Sequence, residues 1–98
     1  MKGCIWGYTL ESSIEKLKEI EERYNQIGIQ SKRKVKSINN NFIEFSNGDI
    51  WKAVCCLESH RGQRVNISYV DRRIDSLFIN TIIDHCTTAM PYNAIRYY

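Results

Sequence analysis

At 98 residues and 11.5 kDa, the chain has room for one domain, residues 1–98, and too little for a complete nucleotide-driven motor. It is 43% hydrophobic and 26% charged, has one proline and five glycines, and shows no apolar run near the ~20 residues that span a bilayer; a collagen-like, low-complexity or integral membrane protein is not expected. The net charge of +3 admits an anionic partner without requiring one.

Gly3-Cys4-Ile5-Trp6-Gly7-Tyr8 reads as a short strand. The period then changes. Leu10, Ile14, Leu17, Ile20, Tyr24 and Ile27 recur at three- and four-residue spacings, the apolar stripe of a long helix. Ser12 and Glu15 fit a capping box, with Thr9 as the alternative cap, and Gly28 is a natural stop. Glu15, Lys16, Lys18, Glu19 and Glu22 read as the solvated face of that helix. From about residue 33 the signals are β. Lys34–Ile38 and Phe42–Phe45 read as strands; the latter is followed by Asn47-Gly48, which predicts a hairpin with a type I′ turn. Ile50–Leu57 is apolar at nearly every position after Lys52, as a strand buried on both faces would be.

Glu58–Arg64 is a polar loop, and Val65–Val70 is an alternating strand ending at Asp71. A last helix is expected from about Arg73 to Cys86, with Ile74, Leu77, Phe78, Ile82 and Cys86 inward. The tail from Met90 to Tyr98 is aromatic and not helical at Pro91. The predicted fold is therefore α/β: one mixed sheet of about five strands, a long N-terminal helix and a C-terminal helix. Five of the eleven acids fall between Glu11 and Glu22, whereas bases collect at Lys32–Lys36 and at Arg61, Arg64, Arg72 and Arg73. That distribution predicts an acidic face and a separate basic one.

The four cysteines, at 4, 55, 56 and 86, have no Cys-x-x-Cys spacing, and the N-terminus does not read as a secretory leader. Reduced thiols in a cytoplasm are expected. Cys55, Cys56, His60, His85 and Cys86 match no zinc spacing, so no metal or cofactor is expected. No nucleophile–base constellation is legible.

The segments FIEFSNGDIWKAV and SHRGQRVNISYVD, ending at Asp71, resemble the ATPase domain of phage large terminase subunits. There a strand–Asn-Gly–strand hairpin leads to an Arg-Gly-x-Arg loop and a strand ending in the Asp-Glu of Walker B. GYTLESSIEKLKEIEERY is similar to the family's second strand and its helix, and INTIIDH with a later Met-Pro is similar to the family's segment after Walker B. The resemblance implies part of a RecA-like core, beginning after the phosphate loop. The departures are as informative. No G-x-x-x-x-G-K-[ST] loop is present: Gly3 and Gly7 stand one residue too close, and Tyr8 occupies the place of the lysine. Arg72 replaces the glutamate that would orient the attacking water. ATP hydrolysis is not expected.

Asp71 reads either as a ligand residue or as the N-cap of the last helix. Arg72 and Arg73 in that helix's first turn would oppose its dipole, which makes sense if they face an anion. Arg61 and Arg64 around Gly62 suit phosphate, although a solvated surface turn explains them equally well. Tyr8 and Trp51, for which a core or rim position is the commoner reading, complete the candidate set with Tyr92 and Tyr97, which cluster with Tyr98 in the tail as interface or stacking aromatics. The expectation is a non-enzymatic phage or prophage protein in the host bacterial cytoplasm, sequestering a nucleotide-type ligand such as a cyclic or ADP-ribose-type immune signal. A homo-oligomer would enclose that ligand between subunits. The alternatives are a protein-binding inhibitor of a host defence enzyme, a terminase-associated packaging accessory, a nucleic-acid binder using Lys32–Lys36 and the late arginines, and, as the weakest, an enzyme cleaving a phosphodiester with Asp71 and a metal.

Overall fold

The computed structural model describes residues 1–36, 41–55, 64–83 and 95–98. Its elements are β1 (Lys2–Gly7), α1 (Leu10–Gln26), β2 (Ser31–Lys36), β3 (Asn41–Phe45), β4 (Ile50–Cys55), β5 (Ile67–Val70), α2 (Ser76–Phe78) running into a π-helical turn (Ile79–Ile83), and β6 (Ile95–Tyr97). The strands form one mixed sheet in the order β2-β3-β4-β1-β5-β6. β1 lies between β4 and β5, parallel to both, and β6 is parallel to β5; β2, β3 and β4 are joined antiparallel. The α/β class and the mixed sheet are as expected. The strand beyond the expected five is β6, in the tail, where a three-residue segment carries too little pattern to read as a strand.

α1 forms where the apolar stripe predicts. Thr9, not Ser12, is its cap: the Thr9 side chain accepts from the Ser12 amide at 3.2 Å. The helix closes with a Schellman motif, Ile29 N–H to Tyr24 C=O at 2.9 Å and Gly28 N–H to Asn25 C=O at 3.0 Å. Gly28 takes φ +83°, a conformation that suits glycine. Ile27, assigned to the stripe, is exposed at this end. The β3–β4 hairpin is present, but its turn is not type I′. Only Gly48 has positive φ, and the bonds Gly48 N–H to Phe45 C=O and Phe45 N–H to Asp49 C=O describe a type I turn with a glycine bulge. The Asn47 side chain accepts from the Asp49 amide and stabilises that alternative.

The sheet has a core on each face. On one, α1 places Leu17 and Ile20 against Ile5, Ile43, Phe45, Trp51 and Ala53. On the other, Ile74 and Ile83 cover Cys4, Trp6, Val54, Val65 and Val70, with Phe78 and Ile79 packed alongside. Burying a large apolar side chain in this way stabilises by roughly 1.5–3 kcal/mol. Trp6 also satisfies its indole N–H by donating to Ser68 Oγ at 3.2 Å.

The helix expected over about 73–86 begins at Ser76, and its described part continues through a π-helical turn to Ile83; residues 84–86 lie outside the described residues. Asp71 does not cap it; Asp75 does, accepting from the Leu77 amide at 2.6 Å. Leu77, expected inward, is exposed, and Ile83 is fully buried. A π-helical turn shifts the facing of side chains relative to a 3.6-residue stripe, so a helical wheel misplaces them. Cys86 and the segment around Pro91 lie outside the described residues.

Candidate functional site

α1 follows β1 on one face of the sheet, and the α2 segment follows β5 on the other. Neighbouring parallel strands whose helices leave to opposite faces define a topological switch point, with a crevice at their carboxyl ends. Tyr8 and Ser12 stand at the carboxyl end of β1, and Asp71, Arg72 and Arg73 at that of β5. Gly7 permits the close approach. A Cβ there would meet the Thr9 carbonyl and the Ser13 amide, which is 2.7 Å from that position.

Asp71 is 4% exposed and organises the crevice. Its Oδ1 accepts from the Arg73 amide at 3.0 Å and from Arg73 Nε at 3.1 Å. Its Oδ2 accepts from the Tyr8 amide at 3.2 Å, Ser12 Oγ at 2.7 Å and Arg73 Nη2 at 2.7 Å. The Arg73 guanidinium, with the Ser12 and backbone donors, outweighs burial and holds the Asp71 carboxyl well below the usual carboxylate range. Asp71 in turn raises the pKa of Arg73, whose guanidinium lies 5.3 Å from the Tyr8 ring centroid.

Beside this cluster is a cavity of about 390 Å³ lined by Ser12, Glu15, Lys16, Glu19, Asp71, Arg72, Arg73 and Tyr98. Arg72 donates its amide to the Tyr98 carbonyl at 2.9 Å; its exposed guanidinium forms no ion pair among the described residues. Lys16 bonds Glu19 at 3.2 Å and sits 4.8 Å from the Tyr69 ring centroid and 5.7 Å from that of Tyr98. The Tyr98 hydroxyl is 3.2 Å from Ser12 Oγ, and burial pushes its pKa up.

Asp71, Arg72, Arg73 and Tyr8 thus come together, but Arg72 and Arg73 precede the short helix instead of forming its first turn. The other site expectations change. Trp51 is a core residue, 3% exposed, with its indole N–H bonded to Tyr24 Oη at 2.9 Å. Arg64 lies beyond the opposite end of β5 from Asp71, lining a different cavity. Tyr97 is exposed on β6, and register places it on the face of Val70, away from this cavity. Arg61, Gly62 and Tyr92 lie outside the described residues, as do Cys56, His60, His85 and Cys86 of the metal set. Ser12, Lys16 and Tyr98 belong to the site instead. Lys16 is one-tenth exposed, so it is not part of a solvated face. Nor are acids and bases segregated: Glu15 and Glu19 face the same cavity as Arg72 and Arg73, and Glu21 pairs with Lys34 at 2.6 Å. Compared with protein-family models, curated proteins and solved structures, the chain matches none.

Proposed function

We propose that this crevice binds a nucleotide-type ligand without turning it over. The observation that carries the reading is the cavity at the switch point. There Arg72, which forms no ion pair among the described residues, lines one cavity with Lys16, Glu15, Glu19 and the Tyr98 ring. A nucleotide has a matching part for each. Its phosphate suits the Arg72 fork, its sugar hydroxyls can donate to Glu15 or Glu19, and its base can stack on an aromatic ring. A simple anion would gain little, because Glu15, Glu19 and Asp71 offset Lys16, Arg72 and Arg73 in the lining. The volume falls within the ~300–1,000 Å³ of small-molecule pockets.

Binding without chemistry is supported by Asp71. Five hydrogen bonds from its own chain occupy both oxygens, so it serves as a bracket between the β1 and β5 turns and is poorly placed to act as a base. Sequestration of a host signalling nucleotide by a phage protein is the biological form of this proposal that the terminase-like residues suggest.

Isothermal titration against linear, cyclic and ADP-ribose-type nucleotides tests it. At least one nucleotide is expected to bind stoichiometrically and to be recovered intact, with Arg72→Ala weakening it by roughly tenfold or more, the value of a charge-assisted hydrogen bond. Silence from all of them would overturn the reading and favour a protein partner. Recovery of a cleaved ligand would overturn its non-catalytic part.

A further inference from the structure

The amino ends of β1 and β4 carry a second cluster, distinct in place and charge from the crevice. Lys2, Gly3, Ile50, Lys52, Arg64 and Val65 line a cavity of about 290 Å³. Register explains why three cations meet there. Lys2 pairs with Ile50, two residues from Lys52, so the two lysines share a face on a diagonal of adjacent strands. Arg64 arrives through the segment leading into β5: the Asn66 amide donates to the Lys2 carbonyl at 2.8 Å, and the Lys2 amide to Asn66 Oδ1 at 2.8 Å.

Among the described residues, no carboxylate lines this cavity and none of the three cations forms an ion pair. The nearest acid in register on that face is Glu44, opposite Ile50. Lys16, Arg23, Lys34 and Arg73 are ion-paired, whereas Lys18, Lys32, Arg33, Lys36, Arg72 and Arg96 form no ion pair among the described residues; what sets Lys2, Lys52 and Arg64 apart is that all three line one cavity. Glu44 stands diagonal to Lys52 in register, as Lys2 does, but does not line the cavity, so the three cations that do line it favour an anion there. Lysine and arginine together suit phosphate, as point charges and as a planar fork.

We infer that Lys2, Lys52 and Arg64 form a phosphate-binding site, separate from the Asp71 crevice. The shared chemistry is a phosphate-bearing anion, either a free oligophosphate or the backbone of a single-stranded nucleic acid. Amide chemical-shift mapping on the full chain, with pyrophosphate and with a short single-stranded oligonucleotide as probes, tests it. Shifts clustered on Lys2, Lys52, Arg64 and Val65 are expected with at least one probe. Lys52→Gln/Arg64→Gln should weaken that binding about tenfold, whereas Arg72→Ala should leave it unchanged. If the oligonucleotide is the ligand, log affinity should fall against log salt with a slope of about −2, three contacts at about 0.7 each. A response to pyrophosphate alone would identify a free oligophosphate. Absence of binding by both probes, shifts confined to residues 71–73, or undiminished affinity in a double variant of normal thermal stability would overturn the inference. Because nucleotide binding at the crevice is read from Arg72→Ala, the two proposals can fail independently.

Discussion

Asp71 is the residue on which the two halves of the chain meet. Tyr8 and Ser12 reach it from the first dozen residues, and Arg73 closes on it from two positions away. Replacing Ser12 with Ala removes the 2.7 Å bond to Oδ2 and the contact with the Tyr98 hydroxyl. The expected loss is about 1–2 kcal/mol in urea unfolding at neutral pH, since the carboxylate keeps its arginine but loses a donor. An unchanged midpoint would mean that water substitutes fully for the hydroxyl. The run Asp71-Arg72-Arg73 was legible in the sequence because its members are contiguous. Ser12 was not, since it comes from 59 residues away, and Tyr98 was legible only as one of the tail aromatics, not as the partner of Ser12. Lys16 was hidden for a different reason. A lysine on an acidic helix face looks solvated until the tyrosine rings that cover it are placed.

At the scale of elements, local chemistry decided α1 and the β3–β4 hairpin, and close approach decided β1. Gly3 pairs with Trp51 across the parallel β1–β4 ladder, and a Cβ on Gly3 would lie inside the Trp51 ring. That ring cannot swing away cheaply. It is buried, and its N–H is held by Tyr24, whose ring stacks on Phe45 at 3.9 Å and whose hydroxyl donates to Asp49 at 2.7 Å. Gly3→Ala is therefore expected to destabilise by roughly 1–3 kcal/mol through overpacking, visible as a lower thermal midpoint. Near-native stability would show that the β1–β4 spacing can relax. The inward face of the last helix was misread because an apolar run with several isoleucines fits a 3.6-residue period, whereas its described part uses α and π turns in succession.

For the whole molecule, pH acts from both sides. In Asp49, burial pushes the carboxyl up, but bonds from Tyr24 and its neighbours outweigh it; Asp49 and Asp71 both titrate below their ordinary value. As pH falls, the unfolded chain therefore takes up protons first, near ~3.9. The stability these carboxylates contribute is present above about pH 5 and is lost as acid passes through and below that value. Tyr24 behaves oppositely. Burial is the main cause that raises it to about 12, so its contribution is complete below ~10 and is lost as pH climbs towards the folded value. Urea midpoints between about pH 2 and 12 should show a plateau with an acid and an alkaline limb. Asp71→Asn should flatten the acid limb and Tyr24→Phe the alkaline one, and limbs unchanged in these variants would reject the assignment.

The sequence by itself determined the α/β class, the long helix and its glycine stop, the hairpin, and the grouping of Asp71 with two arginines. Each depends on neighbours in the chain: periodicity, a turn dipeptide, or direct succession. Only the tertiary structure decided that Trp51 belongs to the core and that Arg64 joins Lys2 and Lys52 at the end of the sheet opposite Asp71. It also decided that Lys16, Ser12 and Tyr98 complete the crevice, and that a strand in the tail closes the far edge of the sheet. Parallel pairing is the physical reason. β1, β4, β5 and β6 are brought side by side by crossovers, so the strand ends that share a cavity are set by register between distant segments.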